Sequence, residues 1–404
     1  MLISNPRAMR GPYPDALRAV MSIGRAQESR AWLSAWSGIA AAATPLYCLP
    51  DQAQRLGIAR LSVKDESVRS PLGSFKALGA PIALVRLLLR AHPDLAPQDV
   101  LNGCARERLR AHTVISATDG NHGRALAAAA RDAGCPCVIV LHAEVSAERE
   151  SAIAAHGAQI VRVAGNYDDS VREAARLADV NGWQVVSDTS YPGYEDIPRD
   201  VMQGYSTIAL EVQEQTALDA GAFTHVLLQG GVGGLAAGLV SCWWERLGAQ
   251  RPRFIVVEPA QADCLLQSAL QGRPARATGT VDSVMAGLAC GETSPLAWRF
   301  LQPGVDHFQT VDDAQAVQAM RTLAQGVDGD RPIVAGESGV AGLAALQALR
   351  ADAPLWAEAG LGPDARVLLI STEGATAPQV YAQCVGERAE AVLQRQAQWL
   401  ARQP

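Results

Sequence analysis

An α/β fold, with parallel sheets faced by helices, is the architecture this sequence predicts, and three observations carry the prediction. Short β-branched runs alternate with Ala- and Leu-rich stretches of helical length along most of the chain. Hydroxyl-rich or glycine-rich turns stand where several of those runs end, which is where open α/β sheets place their ligands. The chain has 404 residues, 49% hydrophobic and 19% charged, which is enough apolar material for more than one domain.

In chain order, the Leu-Ser-Val run at 61–63 predicts the first strand, and the Ala- and Leu-rich stretch 74–91 the helix after it. The β-branched run 113–116 precedes the alanine-rich helix 121–133. The continuous apolar run 138–141 has the pattern of a strand buried on both faces and leads to a helix at 147–156. Strand 159–163, helix 168–179 and strand 184–186 follow. The second half alternates in the same way: strand 225–228, helix 233–247, strand 254–257, helices 312–325 and 339–351, and strand 367–370. From about 90 to 190 the pattern reads as four consecutive strand–helix units, enough for a small sheet of its own. The chain is therefore divided into 1–89 and 192–404, which pair as a large domain, and 90–191, a smaller inserted α/β domain. A ligand sits in the cleft between them.

Several function classes are excluded on composition. The 35 basic and 41 acidic residues sum to -6 and are spread along the chain, so no basic face for nucleic acid is expected. No apolar run reaches the length of a membrane span, and Arg7, Arg10, Arg18 and Arg25 occupy the first thirty residues without an apolar core, so neither a membrane partner nor a secretory leader is expected. The eight cysteines and seven histidines form no C-x-x-C or H-E-x-x-H pattern, so no metal site is expected. A cytoplasmic protein is the resulting expectation.

Only two of the 35 basic residues are lysines, Lys64 and Lys76. Wherever arginine serves, it has been used; it cannot serve where an amine must lose its proton and attack a carbonyl. Lys64 stands in a charged Lys-Asp-Glu stretch and is expected to pair with neighbouring carboxylates. That leaves Lys76.

Three turns carry chemistry. Ala117-Thr-Asp-Gly-Asn-His-Gly123 opens a helix and is either an anion site or an Asp/Asn helix cap. Gln229-Gly-Gly-Val-Gly-Gly-Leu235 has four glycines in five positions, a pattern that lets consecutive N–H groups converge on a phosphate. It also satisfies a dinucleotide fingerprint, Gly231-x-Gly233-x-x-Ala236 with Glu258 closing the next strand, so an NAD-dependent dehydrogenase is a competitor. Ser371-Thr-Glu-Gly374 offers two hydroxyls that either meet a heterocycle nitrogen or cap the next turn.

Together these residues resemble the fold-type II pyridoxal-phosphate enzymes, the tryptophan synthase β-like group. Gly73-Ser-Phe-Lys76 is similar to the group's cofactor-lysine motif, with Thr44-Pro-Leu46 upstream of it. Within the group the resemblance is to the diaminopropionate ammonia-lyases, through Lys64-Asp-Glu-Ser67, Ala117–Gly123, Ser187-Asp-Thr-Ser-Tyr-Pro-Gly-Tyr194, Met202-Gln-Gly-Tyr205, Met285-Ala-Gly-Leu-Ala-Cys-Gly-Glu292 and Gly336-Glu-Ser-Gly339. These motifs run from about 44 to 376, nearly the whole chain. Ser74 and Ala77, flanking the lysine, are small departures with little bearing on the chemistry.

The resemblance implies pyridoxal 5'-phosphate held by Lys76 as an imine and cradled by Phe75, Asn121, Gly230, Gly231, Val232, Gly233 and Gly234. Ser371 or Thr372 would meet the pyridine nitrogen. Thr118, Asp119, His122, Asp188 and Tyr191 would bind substrate, with Lys76, Asp119 and Asp188 catalytic. The implied reaction is α,β-elimination of 2,3-diaminopropionate with water to pyruvate and two ammonia, in a homodimer. Asp119 and Asp188 add carboxylates suited to a β-ammonium, which a hydroxy amino acid would leave unpaired. A serine or threonine ammonia-lyase is the alternative within the fold, and a silent amino-acid sensor one outside catalysis. In the resembled family the segment 287–292 borders the site entrance. That leaves two readings of Cys264 and Cys290 open: a redox-sensitive bridge, or two small core thiols.

Overall fold

Two sheets organise the chain. The computed structural model describes residues 1–402 except positions 41, 119, 166 and 328. Its strands are β1 (Leu2–Ser4), β2 (Leu46–Cys48), β3 (Arg60–Asp65), β4 (Val114–Ala117), β5 (Cys137–Leu141), β6 (Gln159–Arg162), β7 (Gln184–Val185), β8 (His225–Gln229), β9 (Arg253–Pro259), β10 (His307–Val311) and β11 (Arg366–Ser371). Seven of them form a sheet ordered β1-β10-β9-β8-β11-β3-β2, parallel from β10 to β3 and antiparallel at both edges. The other four form a parallel sheet ordered β6-β5-β4-β7, drawn entirely from residues 114–185.

Central strands β8, β9 and β11 are buried on both faces, which is why they read as apolar runs rather than alternations. Three strands lie beyond the sequence expectation. β1 and β2 are three-residue edge strands, and β10, His-Phe-Gln-Thr-Val, mixes polar residues into a buried run. None carries enough period to stand out.

The longest helix, Asp196–Gln215, was also not expected, and burial explains it. It packs against the helices Ile23–Leu33, Lys76–Ala91 and Gly234–Leu247, so it has no polar face to reveal its period. Gly204 lets it lie directly on its neighbour: a Cβ there would stand 2.1 Å from the Leu78 carbonyl oxygen. The largest apolar cluster runs through Lys76–Ala91 into Asn121–Ala133, so the two sheets share one continuous core. No helix among the described residues is long and apolar enough to cross a membrane.

Candidate active site

Lys76 begins a helix at the end of a turn that is tied to β11. Gly73 takes φ +72°, a left-handed backbone that glycine adopts without strain. Its carbonyl accepts from Gly374 N at 3.0 Å, and Phe75 N donates to the Thr372 carbonyl at 3.0 Å. Lys76 therefore opens onto the carboxyl end of the large sheet, into a cavity of about 950 Å³ between the two sheets. Its Nζ lies 5.1 Å from the Phe75 ring centre and 5.6 Å from that of Tyr205.

The Lys76 ammonium donates to Asp188 Oδ2 at 2.5 Å. Both side chains are about one-fifth exposed, to the cavity rather than to bulk solvent. Burial alone would push the lysine down; the Asp188 carboxylate reverses this and holds it above the ordinary lysine range. Burial would likewise raise Asp188, but the Lys76 charge pulls it well below the usual carboxylate range. Lys64 is elsewhere. It is fully buried and donates to Glu211 Oε2 at 2.6 Å, the Thr44 carbonyl at 2.7 Å and Gln215 Oε1 at 3.1 Å. Its ion-pair partner is thus a carboxylate from the Asp196–Gln215 helix, where the sequence reading expected an adjacent one.

At the end of β8 the glycine-rich turn enters the 14-residue helix Gly234–Leu247. Gly231 has φ +59° and Gly233 φ +99°, both left-handed. Gly230, Gly231, Val232 and Gly234 face the cavity and Gly233 does not. The N–H groups of Gly230 and Gly233 are spent on the Val257 and Gly230 carbonyls, at 2.8 and 3.1 Å. Amides at a helix N-terminus suit a phosphate. Thr372 lies on the cavity wall; Ser371 does not line the cavity, and its Oγ is buried with no hydrogen-bond partner. These features fit pyridoxal phosphate.

Glu258, the acid a dinucleotide would need, is turned away. Its two oxygens accept from Leu265 N and Leu266 N, each at 2.8 Å, capping the helix Cys264–Gln271. It is fully buried, and burial pushes it up to about 8. The dehydrogenase reading fails on this geometry.

Thr118, Asn121, His122 and Tyr191 also face the cavity. Thr118 Oγ1 accepts from Gly120 N and Gly123 N, both at 3.3 Å, closing the loop as a cap would. Asn121 donates to Glu373 Oε2. His122 donates from Nε2 to the Val186 carbonyl at 2.9 Å. Tyr191 stacks on Tyr194 at 4.8 Å and is 44% exposed at the mouth. Asp119 lies outside the described residues. Cys264 and Cys290 form no disulfide; Cys264 Sγ donates to the Gly231 carbonyl at 3.4 Å, and Cys290 lines the cavity.

Among the cavity residues that sequence reasoning missed are Tyr205, Glu337 and Arg149. Tyr205 was quoted in a motif but given no place in the site, although the close helix crossing brings it beside Lys76. Glu337 lies in the quoted Gly-Glu-Ser-Gly stretch; burial and the Glu373 carboxylate push it up to about 8. Arg149, which reaches Glu337 at 3.3 Å from the other side of the cleft, has no sequence signal at all.

Gly231→Asp is expected to abolish cofactor retention. A branched side chain at φ +59° is strained, and its carboxylate would repel a phosphate. Cofactor content of the purified variant, read from absorbance after denaturation, checks this; wild-type occupancy would contradict the phosphate cup.

A model of the pyridoxal-phosphate dependent enzyme family matches residues 39–373 of this chain. The diaminopropionate ammonia-lyase of Salmonella typhimurium is 39% identical over 351 residues, covering 84% of this chain and 87% of that protein. The Escherichia coli K12 protein of the same name is 39% identical over 355 residues, covering 86% and 88%. The Escherichia coli diaminopropionate ammonia lyase solved with an aminoacrylate-PLP azomethine reaction intermediate superposes with TM-score 0.86 at 36% identity, over 95% of this chain and 96% of that one. A threonine deaminase from Solanum lycopersicum, TM-score 0.69 at 19% identity over 95% and 97%, shares the fold.

Proposed function

The chain belongs to the pyridoxal-phosphate dependent enzyme family, and from that premise we propose that its ammonia-lyase activity acts on 2,3-diaminopropionate, with water, to give pyruvate and two ammonia. It is a fold-type II enzyme and a carbon–nitrogen lyase that uses pyridoxal phosphate. The observation that carries the substrate reading is the Asp188 carboxylate, 2.5 Å from Lys76 on the cavity wall. A diamino acid brings an ammonium to replace the lysine as its partner, whereas a hydroxy amino acid leaves the carboxylate unpaired.

When bound, the cofactor supplies an aldehyde that takes an amine covalently and a pyridine ring that draws electrons from the Cα–H bond. Lys76 holds the cofactor and, once released, takes the Cα proton on Nζ. Asp188 orients the β-ammonium. Amides of the glycine-rich turn would hold the phosphate, and Asn121 and Phe75 would border the ring. The hydroxyl of Ser371 or Thr372 would meet the pyridine nitrogen without a negative charge that would keep it protonated. Thr118, His122 and Tyr191 close the substrate side.

Supplying the holoenzyme with 2,3-diaminopropionate, serine and threonine separately tests the reading. Ammonia and pyruvate at two to one, with the diamino acid preferred, is expected; preference for serine or threonine overturns it. A cytoplasmic homodimer belongs to the same proposal. Eight cysteines outside any disulfide suit a reducing compartment, and light scattering of the pure protein reads the assembly.

Lys76 meets the Cα proton from one face of the bound substrate only. Asp119 is the proposed base for the other face, so Asp119→Asn is expected to slow the D-isomer by about 10²-fold and spare the L-isomer. Equal loss for both isomers would make Asp119 a binding group instead.

A further inference from the structure

A lysine nitrogen attacks only after it has lost its proton, and at Lys76 that proton needs somewhere to go. Asp188 is the immediate neighbour, at 2.5 Å, but it is a poor resting place for a proton, because the charge of Lys76 holds it ionised. His122 approaches the same oxygen, with Nδ1 3.8 Å from Asp188 Oδ2. Its tautomer is set by the fold. Nε2 lies 2.9 Å from the Val186 carbonyl, which can only accept, so Nε2 carries the hydrogen. In the neutral ring Nδ1 is then a bare lone pair. It is buried without a hydrogen-bond partner, and the ring is only 4% exposed.

We propose that His122 stores the Lys76 proton, received through Asp188, whenever the lysine nitrogen has to act as a free amine. In that step one N–H bond of Lys76 breaks and one Nδ1–H bond of His122 forms. The Asp188 carboxylate takes up and passes on the proton without net change, and no electron is transferred. The return step restores the ammonium. His122 touches neither the lysine nor the cofactor in this role and acts through Asp188, as a positioning residue. The charged and titratable groups around it keep the proton on Lys76 at rest and favour the ring only as the lysine is discharged. Burial holds His122 below its usual range, Asp188 raises it, and the Lys76 charge lowers it; discharging the lysine removes that last effect. Tyr205 and Cys290 face Lys76, and Tyr194 feels Asp188; burial pushes Tyr205 and Tyr194 above the ordinary phenol range, which keeps both protonated.

The inference rests on Lys76 being the cofactor lysine, and one experiment separates the two. Apoprotein is mixed with pyridoxal phosphate across pH 5.5–9 (a range of about the width over which a histidine titrates), and the rise of the lysine-bound absorbance is followed. His122→Asn and His122→Gln are expected to slow attachment about tenfold at neutral pH and to move the midpoint of its pH profile up by about one unit. Glutamine keeps a donor for Val186 but cannot store a proton, so a wild-type profile in His122→Gln would assign the ring a structural role and overturn the proposal. Should either variant fail to fold, 15N NMR of histidine-labelled wild-type protein decides. The expected result is a ring protonated at Nε2 alone in the apoprotein and at both nitrogens once cofactor is attached. A ring neutral in both forms overturns the proposal, while cofactor found on any residue other than Lys76 overturns its premise.

Discussion

Replacing Lys76 by arginine is expected to lower turnover of 2,3-diaminopropionate by at least about 10⁴-fold and to remove covalent cofactor attachment. The substitution keeps the positive charge, so the ion pair with Asp188 that helps hold the cleft in shape is retained. What is lost is chemical: a guanidinium does not give up its proton in a protein, so it neither bonds to an aldehyde nor takes the Cα proton. Borohydride reduction followed by peptide mapping checks both points. The wild-type label should lie on the peptide holding Lys76, and the variant should carry none. A label on Lys64 would overturn the assignment, and the structure argues against it. Lys64 has no exposed surface, donates to three acceptors and does not face the cavity.

Asp188→Asn is expected to cost about 10³-fold in turnover, with most of the loss appearing at low substrate concentration. Asparagine preserves shape and removes the charge. The sign of its effect on Lys76 follows from the two opposing influences. Burial lowers the lysine, and Asp188 raises it; without the carboxylate only the lowering remains. The folded-state value, now above that of the unfolded chain, should drop below it. Stability that the raised value contributes at every pH below the unfolded lysine range should then disappear, so the variant should melt earlier at pH 7. The same change should make the apoprotein lysine easier to modify with amine reagents at neutral pH. A variant that turns over diaminopropionate normally would return the substrate to the hydroxy amino acids.

The cysteine pair also has a plain outcome. Cys264 and Cys290 form no disulfide in the structure, and they lie beside the Gly231 carbonyl and on the cavity wall.

Much of this protein was determined by the sequence alone. The alternation of apolar runs with helical stretches was enough for the parallel sheets, because buried strands and their covering helices carry their period in a few consecutive residues. The glycine-rich turn was legible for a similar reason: it records the local backbone needs of Gly231 and Gly233. The buried helix Asp196–Gln215 was not legible, since a helix packed on all sides shows no polar face. Only the tertiary structure decided which partners the charged groups took. Lys76 and Asp188 meet across 112 positions and Lys64 and Glu211 across 147. Glu258 turned inward to cap a helix, and Nδ1 of His122 was left unpaired. Those choices depend on how closely two helices cross and where two sheets share a core, and no run of neighbouring residues encodes them. Side-chain charge pairing is a property of packing, whereas strand and turn are properties of the local chain.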